Sequence, residues 1–338
     1  MRLSMNEDKE LLAKKVEQYL GWKVNPYRIK IITDTTDWMR INRGDIIRLN
    51  CGDYLVRGNM REPRFGIDEQ PKYWVFSAVD LNDGSEKILK MVFHEEFYVH
   101  IGFLRIRCYR NPQKEGEVLK LVRGDNRFMQ GFVCYDENNN AVRIIDFIRG
   151  KSFFQYVPLI EKKSHLDYFN EDLPKILWKL LDSFKAILFL HENKLCHGDI
   201  RNDHIIVESD TGNYRWIDFD LMQDVSDFDL WSCGNIVSYA VAKGLKTFDQ
   251  VIKGNEFPIE VKKSLVAEDG SAFYNYRIMN LKKLYPYIPI KLNRILLHFT
   301  IKPVAFYGSL REFIEDYADM LESEFPNGKP IESKQEVK

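Results

Sequence analysis

The sequence predicts an α+β fold, with strands gathered in the first half and helices in the second. Three observations predict it. Residues 45 to 93 hold several β-rich runs bounded by turn residues. From Leu173 to Leu190, apolar residues at 173, 176, 177, 180, 181, 184, 187 and 188 keep helical spacing. Between Ile205 and Ile217, two short apolar runs flank Ser209-Asp210-Thr211-Gly212-Asn213, which is strong turn chemistry. The chain has 338 residues, enough for two modest domains, and is 45% hydrophobic and 29% charged. That is ordinary for a protein that buries a core. A net charge of −1 gives no sign of nucleic-acid binding. The five cysteines (Cys51, Cys108, Cys134, Cys196, Cys233) are scattered and form no CxxC. This pattern predicts free thiols in a reducing compartment. The first residues, MRLSMNEDKELLAKK, carry no apolar signal core, and no stretch has the length to cross a bilayer. A cytoplasmic protein without a membrane partner is expected.

In chain order, residues 6 to 20 predict an amphipathic helix, capped by Asn6, striped by Leu11, Leu12, Val16 and Leu20, and stopped by Gly21. Its stripe should dock on the domain C-terminal to it. Residues 22 to 45 are mixed, with a β-like Ile29-Lys30-Ile31-Ile32, and receive no role. Ile46 to Leu49 and Tyr54 to Val56 are candidate strands. Tyr73 to Val79 and Lys87 to Phe93 form a further pair across the turn at 80 to 85. Residues 112 to 123 read as a helix with proline at its start. Residues 143 to 153 read as a strand and turn. Pro286 and Pro289 precede a helix at 291 to 299, and another starts at Ser309 and runs to 321. The polar tail from Asn327 reads as disordered. No internal repeat is found.

The stretch from Leu190 to Leu221, LHENKLCHGDIRNDHIIVESDTGNYRWIDFDL, organises the rest. His191 to Leu195 closes a helix, and His197-Gly198-Asp199 makes a tight loop. The hairpin of Ile205 to Ile217 then sets Asp218 close to His204 and Asp199. Phosphoryl transfer needs such a cluster, because its transition state spreads negative charge that a positioned cation can neutralise. Carboxylates suit magnesium, a hard cation. Either aspartate alone could be an ordinary turn residue. A zinc site from His191, His197 and His204 is the rival, but it lacks paired cysteines and the usual ligand spacing.

HGDIRNDH resembles the catalytic loop of protein-kinase-like phosphotransferases, and IDFD resembles their metal-binding Asp-Phe-Gly. DLWSCG, at 229 to 234, resembles their Asp-x-Trp-Ser-x-Gly. VFSAVDLNDGSEKILKMVF resembles the second and third strands of the small lobe, and the resemblance covers about residues 45 to 322. It implies a bilobal protein-kinase-like fold: an N-terminal helical extension (1–44), a small β-rich N-lobe (45–146), a hinge near 146 to 150, a helical C-lobe (147–326), and the tail (327–338). It implies that Asp199 accepts or orients the acceptor proton and that Arg201 steadies the phosphoryl group. Asp218 and His204 would hold Mg2+ or Mn2+. Lys90 would hold the phosphates of ATP, fixed by Glu117, with Glu115 as the competing partner. Gly58 and Gly66 would bound the phosphate-covering loop, and backbone groups from Asp146 to Ile148 would meet the adenine. Asp229 would hold the catalytic loop in shape. Two positions depart from the pattern: His204 stands where the family has Asn, and Asp220 where it has Gly. An imidazole prefers softer metals than magnesium. Few residues separate Asp218 from Asp229, and the Ala-Pro-Glu anchor is missing, as in aminoglycoside phosphotransferases. The implied function is an ATP-dependent phosphotransferase acting on a hydroxyl of a protein (Ser/Thr kinase-like) or of a small molecule. A nucleotide-binding pseudokinase scaffold is the alternative of another class.

Overall fold

The computed structural model describes residues 5–330 apart from 65–66, 102–103, 163, 226–227 and 304. The chain groups into two units. One covers Met1–Glu95, Pro112–Asp125 and Met129–Ile148, the other Glu96–Asn111, Asn126–Phe128 and Arg149–Lys338.

The first unit opens with helix α1 (Met5–Leu20), so Asn6 lies inside the helix and does not cap it. Leu12, Ala13 and Val16 are buried against Ile29, Ile46, Leu55 and Leu81 with Leu20 partly buried beside them, so the stripe docks there, but Leu11 of that stripe is exposed. Gly21 ends the helix in the left-handed region (φ 66°). Strands β1 (Ile31–Ile32), β2 (Ile46–Leu49), β3 (Gly52–Arg64), β4 (Ile67–Asp80) and β5 (Glu86–Lys90) come next. Strands β6 (Glu96–Ile101) and β7 (Leu104–Arg110) follow in the chain but group with the second unit, and helix α2 (Pro112–Leu121), β8 (Gly131–Tyr135) and β9 (Ala141–Asp146) complete the first. Seven strands form one sheet in the order β1-β2-β3-β4-β5-β9-β8. Its β1–β2 pair is parallel and the remaining pairs are antiparallel. One face buries Val56, Trp74, Phe76, Leu89, Val142 and Ile144 in a common core. Alternate residues of a strand share a face, so strands of this composition can bury one side continuously. Gly116 sits in mid-helix at a cost of about 1 kcal/mol relative to alanine. A Cβ there would stand 2.9 Å from Val133 Cγ2, so the glycine lets α2 lie close on β8.

The sheet curls until its far ends meet. The Asn50 N–H donates to the Tyr135 carbonyl at 2.9 Å, and the Tyr135 N–H to Asn50 Oδ1 at 3.0 Å. Thr35 donates from its N–H (2.6 Å) and its hydroxyl (2.8 Å) to the Asp136 carboxylate. This curl places Cys51, at the β2–β3 turn, against Cys134 of β8, and the two form a disulfide. The expectation of five free thiols is therefore corrected: Cys51 and Cys134 are bonded to each other, and Cys108, Cys196 and Cys233 keep their thiols. The thiol-based case for a reducing compartment goes with it. Among the described residues, no helix is long and apolar enough to cross a membrane.

The second unit contains β10 (Gly150–Ser152), α3 (Phe153–Tyr156), α4 (His165–Glu171), α5 (Leu173–Glu192), β11 (Ile205–Glu208), β12 (Tyr214–Trp216) and β13 (Leu221–Gln223). Helices α6 (Phe228–Val241), α7 (Phe248–Lys253), α8 (Ile259–Ser264), α9 (Ile290–Leu297) and α10 (Leu310–Glu324) complete it. Helix α5 buries Leu173, Ile176, Leu177, Leu180, Leu181, Phe184, Ile187 and Leu190. Burial of each large apolar side chain contributes roughly 1.5–3 kcal/mol to the unit's core. Ser309 caps α10 by accepting from the Glu312 N–H. The tail read as disordered from Asn327 begins with a 3-10 turn at Pro326–Gly328, beside α5, where Trp178 Nε1 donates to the Phe325 carbonyl. Residues 331–338 lie outside the described residues. Two small sheets form, β10-β11-β12 and β13-β7-β6.

Candidate active site

In the first unit, strand β5 carries Lys90 between Leu89 and Met91, both fully buried. An amine so placed needs a partner, since burying an unpaired charge is costly. Glu115 of α2 supplies it at 2.7 Å. Arg143, opposite Lys90 on β9, reaches the other Glu115 oxygen through Nε at 3.1 Å. All three side chains are at most 7% exposed. The expected Lys90–Glu117 pair is thereby corrected: Glu117 points to solvent, two positions and about 200° around the helix from Glu115. Arg143 was missed in the sequence, although an arginine inside the apolar run AVRIID is itself a signal of a buried partner.

Gly58 (φ 150°) sits where the β3–β4 register shifts, and β3 and β4 continue as a long hairpin to Arg64 and Ile67. Gly66 lies outside the described residues. Asp146 ends β9 and is bound by Lys87 at 2.6 Å. Its N–H donates to the Gln130 carbonyl (2.9 Å) and that of Phe147 to the Glu86 carbonyl (3.3 Å). Ile148 is the last residue of this unit.

In the second unit the cluster expected from the hairpin is assembled. The turn at 209 to 213 returns β12 along β11, with Ile205 opposite Trp216, and the Ile217 N–H donates to the His204 carbonyl at 3.0 Å. Asp218 then takes a left-handed conformation (φ 69°). Such a backbone costs a non-glycine residue of order 1 kcal/mol and persists only where its surroundings fix it. His204, 3% exposed, lies between the two aspartates. Its Nδ1 is 2.7 Å from the Asp199 carbonyl and 3.6 Å from Asp199 Oδ2, and its Nε2 is 3.6 Å from Asp218 Oδ2. A carbonyl only accepts, so Nδ1 carries a proton. In the neutral ring Nε2 then offers a lone pair toward a carboxylate, and two acceptors at that separation suit a cation. The donor set is mixed, one oxygen ligand and one nitrogen.

Burial drives the Asp199 carboxyl above the usual carboxylate range, with Asp218 adding to the effect and His204 and Arg201 opposing it. Arg201 lies 3.9 Å from Asp199 Oδ2, and its guanidinium is clamped by Asp203 through Nε (2.9 Å) and Nη2. Burial would raise Asp203 too, but His204 and Arg201 outweigh it and hold it at about 2. The loop is tied from behind. Asp229 accepts from the His197 and Gly198 N–H groups, each at 2.8 Å, and its Oδ2 stands 2.9 Å from His191 Nε2. This is the structural part expected of it. His197 Nδ1 accepts from the Asp199 N–H at 3.2 Å. His191 and His197 thus serve the loop, and they do not converge with His204 on a zinc geometry.

No family model matches the chain. Over 115 residues, a third of the chain (33%), it is 29% identical to the probable serine/threonine-protein kinase fnkE of Dictyostelium discoideum, and that match spans 8% of the relative's length. With the motif geometry above, this similarity supports a place in the protein-kinase-like superfamily. Among solved structures, the PknI kinase domain of Mycobacterium tuberculosis is similar at 13% identity and a TM-score of 0.49, over 82% of this chain and 98% of that one.

Proposed function

We propose that the protein is an ATP-dependent phosphotransferase that moves the γ-phosphoryl group to a hydroxyl. The observation that carries this is the placement of His204 between Asp199 and Asp218, 3.6 Å from a carboxylate oxygen of each. Asp199 accepts or orients the proton of the acceptor hydroxyl. Its raised affinity for a proton suits a general base, whose contribution is about 10²–10⁴-fold. Arg201 steadies the phosphoryl group. Asp218 and His204 hold a divalent cation, which when bound neutralises charge on the phosphates. Lys90, fixed by Glu115, holds the nucleotide's phosphates. The acceptor is a protein serine or threonine, as the curated similarity suggests. The short path from Gln223 to Phe228 favours a second reading, a small-molecule hydroxyl, because it leaves little chain for a peptide platform.

The test is transfer of labelled γ-phosphate from ATP to a panel of proteins, amino-alcohols and sugars, with Mg2+ and with Mn2+. Asp199→Asn is expected to lower turnover by about 10²–10⁴-fold without lowering the melting temperature, because it removes a charge that burial disfavours. Asp218→Ala should abolish turnover. Full activity in either variant rules the mechanism out. Nucleotide binding without transfer or metal dependence favours a scaffold.

A further inference from the structure

The β6–β7 hairpin lies in sequence between β5 and α2 but belongs to the second unit. There it joins the segment C-terminal to Asp218. Strand β13 runs antiparallel to β7, with Leu221 opposite Arg110, Met222 opposite Tyr109 and Gln223 opposite Cys108. Leu221 shares an apolar cluster with Ile106 and Cys108, and Val99, Val225 and Phe228 pack on it. Asp220 is held by polar contacts. Arg110 Nη1 meets its Oδ1 at 2.7 Å, with the two side chains 9% and 3% exposed, and the Asn111 N–H donates to its carbonyl at 2.6 Å. On the other side, the fully buried Phe219 ring lies 5.9 Å from Phe128 and 4.7 Å from His197. Asp218 is thus a left-handed residue with neighbours anchored one and two positions away. Its carboxylate can be aimed only as well as those anchors hold.

We propose that Arg110 is a positioning residue: through its buried pair with Asp220 it fixes the backbone that aims the Asp218 carboxylate at the cation. A glycine at position 220, as the resembling motif has, could not take part in such a pair. The hairpin thus holds the segment that carries Asp218 in place. The proposal rests on Asp218 being a cation ligand. Partners that orient a metal ligand typically change affinity by about 10–100-fold when lost.

The experiment is a titration of the 338-residue chain with Mn2+, reading free Mn2+ by electron paramagnetic resonance, with thermal melting as the check on folding. Arg110→Gln leaves Asp220 charged and buried, and can unfold the protein. The neutral pair Arg110→Gln/Asp220→Asn is therefore measured beside it, and Arg110→Lys as the conservative variant. The neutral pair is expected to weaken Mn2+ binding by about tenfold or more, and Arg110→Lys to restore part of it. Unchanged binding in the folded neutral pair overturns the proposal. So does tighter binding in Arg110→Gln, because Asp220, once released, would then be acting as a ligand itself. Asp218→Ala separates the two levels of the argument: binding that survives it, or no binding in the parent protein, overturns the cation reading.

Discussion

Glu115 and Glu117 stand on one short helix and meet opposite surroundings. Glu115 is fully buried between Lys90 and Arg143, while Glu117 is in solvent. The difference was legible. Val118, Leu119 and Val122 are all buried, and 115, 118, 119 and 122 form one helical stripe. A glutamate on an apolar stripe marks a buried pair, whereas 117 shares its face with Lys120 and Leu121. Lys90 could be picked out for the same reason, as a charge inside an apolar strand. Glu115→Ala is expected to cost about 3–5 kcal/mol, because it strands two buried cations. Glu117→Ala should stay within about 0.5 kcal/mol. Urea unfolding of both variants checks this, and equal midpoints would remove Glu115 from its place.

Among the elements, the β11–β12 hairpin was readable because its turn residues and its flanking apolar runs are local. Helix α5 was readable because its period holds over twenty residues. The β6–β7 hairpin received no assignment, although Leu104–Arg110 alternates in period two. Its partner strand is more distant in sequence than the 110 positions that separate Arg110 from Asp220, beyond any local pattern. The tie between α6 and the 197–199 loop was legible through DLWSCG, and it has a pH signature. Burial works against the Asp229 carboxylate, but His191, His197 and the Gly198 N–H hold its pKa below the usual 3.8. A depressed folded-state pKa stabilises at every pH above the unfolded value and loses that contribution as pH falls through the folded one. The parent protein should therefore lose stability steeply below about pH 4. Asp229→Asn should be less stable by about 1.5–3 kcal/mol at pH 7 and flatter in acid. Thermal melts from pH 2 to 7 decide it, and parallel curves for the two proteins would deny the carboxylate this part.

At the scale of the whole molecule, composition and motif order were enough for the α+β class, but not for where the chain doubles back. Domains were drawn from the sequence as continuous blocks. The observed units are discontinuous, with 96–111 and 126–128 grouped with the later residues. The cysteines failed for a related reason. Spacing describes neighbours along the chain, whereas Cys51 and Cys134, separated by 83 positions, meet because a seven-stranded sheet curls until its β2–β3 turn reaches β8. Asn50, Tyr135, Thr35 and Asp136 hold the same closure with hydrogen bonds. The disulfide thus secures a contact that the fold already makes. A cross-link over a loop of that size stabilises chiefly by restricting the unfolded chain, typically by about 2–4 kcal/mol. Cys51→Ser/Cys134→Ser is expected to lose that amount in urea while the sheet still closes. Protein purified without reductant, then unfolded in iodoacetamide, should take up label at Cys108, Cys196 and Cys233 alone. Cys51 and Cys134 should be labelled only after reduction, and their labelling beforehand would remove the bond from the native fold.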